Sequence, residues 1–267
     1  MKTEIIGPEN VEPEYSIVYC IHGDETCGKK AVEKLKASDY ELNKPVKLVF
    51  ANEEAYEENV RYIDTDLNRI FPGDPQSELL EEKLAVRIYE EVEDTTNLVI
   101  HSTHSQPTPF SIMSTNQFDK CLVEASSTKW IGVYKETQGS LECLTDSVVV
   151  EAGPQGTSQA TKEAYNCLLN FLSEYEIIDR EKEIIEPEYF QIKDQVKQTG
   201  YEFLGENFEK VNTGEVFAKK GKKTLTAETG FYPFLMSTNG YNNMLGFRAE
   251  KIRAPEKSRK NIDSQVK

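Results

Sequence analysis

Residues 15–52 read YSIVYCIHGDETCGKKAVEKLKASDYELNKPVKLVFAN. Two apolar runs rich in β-branched and aromatic residues, YSIVYCI (15–21) and VKLVFAN (46–52), flank CGKKAVEKLKAS (27–38), which reads as a short helix with a charged outer face. The stretch therefore predicts strand, helix, strand. The alternation returns downstream. In FPGDPQSELLEEKLAVRIYEEVED (71–94), Asp74 followed by Pro75 predicts a helix start, and Leu80, Leu84 and Ile88 fall on one stripe flanked by Leu79 and Val92. NLVIHST (97–103) and SVVVEAGPQGT (147–157) predict two further strands, and TSQATKEAYNCLLNFLSEY (157–175) a helix capped by Thr157 or Ser158. Strands alternating with amphipathic helices predict an α/β fold with a largely parallel sheet flanked by helices. Ligands of such sheets bind outside the carboxyl ends of the strands.

The pattern changes after about Ile178. A charged connection, DREKEIIEPEYFQ (179–191), leads into alternating sequence broken by turn signals. We expect an α/β domain over 1–178, a small β-rich domain over 183–252 and a flexible tail over 253–267, where almost nothing is available to bury.

The 267 residues carry 31 basic and 46 acidic side chains, a net charge of −15. That balance argues against nucleic acid and anionic membrane as partners, because phosphate binding needs a basic face. No run approaches the roughly 20 apolar residues of a membrane span. Five cysteines with no C-x-x-C pair suit a reducing compartment, and the acidic N-terminus lacks a signal-peptide core, so a cytoplasmic location is expected.

The three histidines are confined to two strand ends, His22 in VYCIHGDETCG and His101 and His104 in LVIHSTHSQ. Catalytic zinc takes three nitrogen or oxygen ligands and leaves a fourth position for water. His22, Glu25 and His101 would supply two imidazoles and a carboxylate, with the three-residue spacing letting one turn present the first two. The plainer alternative for His22 is a histidine satisfied at a strand end. His104 reads as a group facing substrate or supporting the ligands, or equally as a solvated loop histidine. Glu151 follows a wholly apolar run; burial would raise its pKa towards that of a general base, while a salt-bridged carboxylate is the alternative. RYIDTDLNRIFPG (61–73) gathers Arg61, Asp64, Asp66, Asn68 and Arg69, either to bind an oxyanion and a substrate carboxylate or as a local salt-bridge network.

Taken together these elements resemble the succinylglutamate desuccinylase/aspartoacylase family, relatives of zinc carboxypeptidases. IHGDETCG is similar to the family's H-G-N-E-x-x-G element, RYIDTDLNRIFPG to R-Y-x-x-x-D-L-N-R-x-F, VIHST to D-L-H-x-T and EAGPQG to E-V-G-P-Q. YPFLMSTNGY (232–241) resembles the stretch that contributes a tyrosine from the smaller domain, and the five elements occur in family order. The resemblance implies one Zn2+ held by His22, Glu25 and His101, with Glu151 as the general base that activates the attacking water. It implies that Arg61 stabilises the oxyanion, that Asn68 and Arg69 bind a carboxylate, and that Tyr241 reaches the pocket. The implied reaction is hydrolysis of the amide bond of a small N-acyl amino acid. A carboxypeptidase-like peptidase, or a metal- or ligand-binding homologue without catalysis, are the competing expectations.

Three departures qualify the likeness. Asp24 stands where the family has asparagine, and Val99 where an acid precedes the histidine. The aspartoacylase branch carries an arginine about ten residues before its catalytic glutamate, whereas ETQGSLECLTDSVVV (136–150) has no basic residue. N-acetylaspartate is thereby disfavoured as substrate, and Thr145, Ser147 or His104 become candidates to recognise something less acidic.

Overall fold

A computed structural model of the protein describes residues 1–135, 139–238, 240 and 243–256. The strands in chain order are β1 (Lys2–Ile6), β2 (Tyr15–Tyr19), β3 (Val46–Phe50), β4 (Thr96–Thr103), β5 (Phe110–Ser114), β6 (Trp130–Tyr134), β7 (Ser147–Pro154), β8 (Glu188–Val196), β9 (Glu202–Phe203), β10 (Val216–Lys220), β11 (Lys223–Thr226), β12 (Tyr232–Phe234) and β13 (Gly246–Ile252). The helices are α1 (Cys27–Lys36), α2 (Glu53–Glu57), α3 (Leu80–Val92), α4 (Lys120–Ser126) and α5 (Ser158–Glu174). Ten strands form one mixed sheet in the order β1-β3-β2-β4-β7-β5-β6-β8-β13-β12, and β11-β10-β9 form a second, antiparallel sheet.

The pairings β3–β2, β2–β4 and β4–β7 are parallel, β5–β6 and β6–β8 are parallel again, and the two blocks meet antiparallel at β7–β5. The chain leaves β2 for β3 on one side and crosses to β4 on the other. Their carboxyl ends therefore frame the crevice where open α/β sheets take ligands.

Strand alternation sorts the core into two layers. Ile17, Leu48, Leu98, Ile100, Val148 and Val150 join an apolar cluster with residues of α1, α4 and α5. Val18, Val49, Val99 and Val149 point the other way, into a cluster with Leu84, Ile88 and Val92 of α3. His101 and Glu151 share the parity of Val99 and Val149, so both belong to the α3 face, and they are register partners on β4 and β7.

Two sequence expectations change in detail. The helix expected from Asp74 begins at Leu80. Asp74 instead accepts from the Gln76 amide at 2.8 Å in a local turn, and the Leu80 amide is satisfied by Asp64 Oδ2 at 2.8 Å. A cap delivered from a distant loop thus sets the helix start. His101 and Glu151 lie within the last turns of their strands rather than after them.

The segment 183–252 is rich in strands, but β8, β12 and β13 extend the large sheet, and only β9–β11 form a sheet of their own. A small cluster including Val211, Phe217, Phe231 and Met236 backs the small sheet. Phe208 inserts among Phe110, Trp130, Phe190 and Phe234, stacking on Trp130 at 4.9 Å between ring centroids. Asn207 donates to Ser105 Oγ, Gln106 O and Met236 O at 2.7–3.0 Å, tying the loop after β4 to the same region. Of the expected tail, residues 257–267 lie outside the described residues.

Gly23 shows how tightly the β2–α1 turn is seated. A Cβ there would stand 2.1 Å from the carbonyl carbon of Ala55, a backbone atom that cannot yield. We expect Gly23→Ala to cost about 2–3 kcal/mol through overpacking, read as a lowered urea midpoint. A midpoint equal to wild type would show that α2 moves aside freely.

Candidate active site

The turn after β2 brings its residues together at short range. Cys20 leaves the strand with a left-handed φ of 55°, and the Glu25 amide donates to His22 O at 3.2 Å, closing a four-residue turn. The Gly23 amide donates to Arg61 O at 3.1 Å, which joins this turn to the 59–72 loop. That loop is held in turn by Glu81, a fully buried carboxylate at the start of α3. Glu81 accepts from the amides of Ile63, Asp64 and Thr65 and from Asn52 Nδ2 at 2.7–3.2 Å.

His22, Glu25 and His101 are each 3% exposed and converge on one another. His22 Nδ1 lies 2.8 Å from Glu25 Oε1, and His101 Nδ1 lies 2.9 Å from Glu25 Oε2. The Ser102 amide adds a hydrogen bond to Oε2 at 2.9 Å, and Arg61 Nη1 one to Oε1 at 3.3 Å. On its far side the His22 ring meets Asp66, with Nε2 at 3.0 Å from Oδ1. Arg61 donates from Nε and Nη2 to Asp66 Oδ2 at 3.2 and 3.1 Å. An ionised carboxylate only accepts, so Asp66 fixes the His22 tautomer with a proton on Nε2.

The electrostatics follow from this packing. Burial works against a charge on His22, but Glu25 and Asp66 outweigh it and raise its pKa. Burial likewise opposes the Glu25 carboxylate, and the imidazoles of His22 and His101 still hold it well below the usual carboxylate range. Glu151 responds in the opposite sense. Burial pushes its carboxyl up to about 8; His101 and Arg61 pull it back, while Glu25 and Glu142 push it further.

One ligand atom from each of His22, Glu25 and His101 lies within 4.8 Å of the others. Two imidazoles and one carboxylate are a donor set of catalytic zinc sites. His101 Nε2 and Glu151 Oε2 are enclosed with no hydrogen-bond partner among the described residues. The three side chains therefore fit a divalent ion, which could take the place now filled by ring protons facing Glu25. Cys20 and Cys27 stand behind them, donating to Glu25 O at 3.6 Å and His101 O at 3.5 Å. Burial raises the Cys27 thiol to about 12, so it is packed rather than reactive.

The remaining sequence candidates are placed as follows. Arg61 beside the triad has a 40% exposed side chain, and the three bonds above use three of its five N–H groups. Asn68 is buried and its Oδ1 accepts from the Leu141 amide at 3.4 Å. Arg69 is exposed, with Nη1 donating to Asn68 O at 2.6 Å. His104 is exposed and lines a cleft of about 440 Å³ with Gln106, Phe203, Asn207 and Met236, which none of the three clustered side chains lines. Thr145 and Ser147 are buried and bonded to each other at 2.6 Å, and Thr145 also donates to Leu141 O at 3.0 Å. Tyr241 lies outside the described residues.

Comparison with known proteins fits this geometry. The model of the succinylglutamate desuccinylase/aspartoacylase catalytic domain matches residues 12–167. The chain belongs to this family. Among solved structures of its fold, a succinylglutamate desuccinylase/aspartoacylase from Rhodobacter sphaeroides superposes with a TM-score of 0.74 at 17% identity, covering 94% of this chain and 89% of that one. The ectoine utilization protein EutE (DoeB) from Ruegeria pomeroyi, in a product-bound structure, gives 0.71 at 18% identity over 92% and 87%. Murine aminoacylase 3 gives 0.69 at 20% identity over 91% and 97%. No match was found among curated proteins. The desuccinylase/aspartoacylase proteins are hydrolases, and this chain shares their fold and their catalytic-domain pattern.

Asp66 and Glu81 carry more of the site than sequence reasoning assigned them. Asp66 stood there only as part of a salt-bridge network, and Glu81 was passed over. A signal for Glu81 was available, since it shares the buried stripe of α3 with Leu84, Ala85, Ile88 and Val92, where an acid is out of place. If Asp66 orients His22 for a metal, Asp66→Asn should weaken zinc binding roughly 10–100-fold in competition with a chromophoric chelator. Unchanged affinity would remove Asp66 from that role.

Proposed function

We propose that the protein is a zinc-dependent amidohydrolase that removes the acyl group from a small N-acyl amino acid. The observation that carries the reading is the buried His22–Glu25–His101 group with Glu151 beside His101 on the neighbouring strand, one of its oxygens enclosed with no hydrogen-bond partner among the described residues. Membership of a hydrolase family and the half-exposed Arg61 support it.

In this reading His22, Glu25 and His101 would hold the ion, which when bound would supply Lewis acidity that makes water easier to deprotonate. Glu151 accepts a proton from the attacking water as its oxygen adds to the amide carbonyl carbon. The two N–H groups of Arg61 not committed to Glu25 and Asp66 donate to the developing oxyanion. Glu151 then delivers the proton to the departing nitrogen as the C–N bond breaks, which leaves an acyl acid and an amino acid. Asn68 and Arg69 take the substrate's carboxylate; in this role Asn68 orients while Arg69 supplies charge. Asp66 holds His22 and Arg61 together, so the ion and the oxyanion donor are set by one side chain. His104 lines the cleft described above, and Tyr241 is proposed to contact substrate.

No helix among the described residues is long and apolar enough to cross a membrane. Cys20, Cys27 and Cys167 are buried thiols. Both fit a cytoplasmic enzyme with small-molecule substrates, and the acidic balance speaks against nucleic acid as a partner.

Two measurements test the reading. Glu151→Gln should lower kcat by about 10²–10⁴-fold on whichever N-acyl amino acid is turned over best, with KM changed far less. A chelator should abolish wild-type turnover and zinc should restore it. A protein that holds zinc yet cleaves dipeptides in preference to N-acyl amino acids would move the assignment to a peptidase. Full activity in Glu151→Gln would end the mechanism.

A further inference from the structure

Two carboxylates are buried on the α3 face outside the proposed ligand set, and they differ. Glu81 is fully buried and both its oxygens are filled, by three amides and Asn52. Glu142 is 5% exposed, and only half of it is satisfied. Its Oε1 accepts the hydroxyl of Tyr134, while Oε2 is enclosed with no donor among the described residues. No lysine, arginine or histidine pairs with it among the described residues. A buried carboxylate left half-bonded is costly, and a purely structural one would be filled as Glu81 is.

Its position gives that vacancy a use. Down β7 from Glu151, Val149 and then Ser147 point to the α3 face, and Val149 shares an apolar cluster with Leu141 and Tyr134. Residues 139–145 close the far end of this face. The Phe71 amide donates to Gly139 O at 3.0 Å and the Leu141 amide to Asn68 Oδ1. Glu142 thus stands next in sequence to a residue bonded to the proposed carboxylate-binding side chain, and it is near enough for its charge to act on Glu151. Arg61 stands beside the three clustered side chains, and Glu142 stands on the segment packed against residues 68–71.

We propose that Glu142 forms the floor of the pocket for the amino acid's side chain and selects substrates in which that side chain ends in an ammonium or guanidinium group. This rests on the amidohydrolase reading above. The cation would give Oε2 its missing charge-assisted hydrogen bonds in a site of low dielectric. A side-chain carboxylate there would meet uncompensated repulsion, and a neutral chain would leave the oxygen unpaired. The substrate's own carboxylate would face Asn68 and Arg69, as in the mechanism above.

The test compares Nα-acetyl derivatives of diamino acids with two, three or four side-chain methylenes, and of arginine, with those of norleucine and glutamate. Wild type should favour its best cationic substrate over norleucine by at least about tenfold in kcat/KM, and glutamate should be poorest. Glu142→Gln should bring the cation-to-norleucine ratio to within about threefold of unity. Because the ratio is taken within one preparation, it does not depend on how much of the variant folds. A variant that loses all substrates in proportion, or a wild type that prefers norleucine or glutamate, overturns the proposal. Should no member be turned over, the hydrolase reading fails by itself. Calorimetric titration of the free diamino acids then decides the pocket: binding to wild type but not to Glu142→Gln sustains it, and absence of binding to wild type refutes it.

Discussion

Glu25 is the constraint around which the site is built. An ionised carboxylate that is 3% exposed survives only if its charge is answered, and four donors from three parts of the chain answer it. His22 comes from its own turn, His101 and the Ser102 amide from β4, and Arg61 from the 59–72 loop. Meeting that demand fixes the end of β2 against the end of β4. It also brings down the loop that carries Asp66. The same arrangement sets two imidazole nitrogens at a common point, so the electrostatic requirement of one residue produces the cluster that could hold a metal ion.

Sheet polarity supplies the rest. The parallel pairing of β4 with β7 places Glu151 beside His101, and the parity of both strands sends the two side chains to the same face as α3. A slip of one residue in β7 would turn Glu151 into the helical layer beside α5. The reversal of direction at β5 ends the parallel block immediately beyond Glu151. The strands beyond the reversal bring Phe208 and Asn207, which anchor the C-terminal region against β5, β6 and the loop after β4.

Much of this was legible in the sequence, for identifiable reasons. β2, β3, β4 and β7 are central strands with apolar residues on both faces, so they read as continuous runs, and α1 and α5 carry clear stripes. β5 and β6, FSIMS and WIGVY, were not read at all although they match β2 and β3 in length, and it is their pairing in the sheet that marks them as strands. Membership of β8, β12 and β13 in the large sheet was hidden because sheet membership is a long-range choice that alternation does not encode. The three clustered side chains were visible through histidine scarcity and spacing. The division of labour within RYIDTDLNR was not, since Asp64 and Asp66 are equivalent in local sequence. Only tertiary contact makes one a helix cap and the other the partner of His22.

The 139–145 loop has a consequence of its own. It leads into β7 from the side of β6, where the sheet changes direction, and it touches the 59–72 loop through the Phe71–Gly139 backbone bond, Asn68 and the apolar cluster of Leu141 with Leu67 and Phe71. None of the three clustered residues lies on it. On the proposed reading, bond breaking and the choice of side chain are housed on different pieces of chain. A lineage could exchange the residues of this one loop, charge included, and acquire a new diet without disturbing the apparatus that breaks the bond.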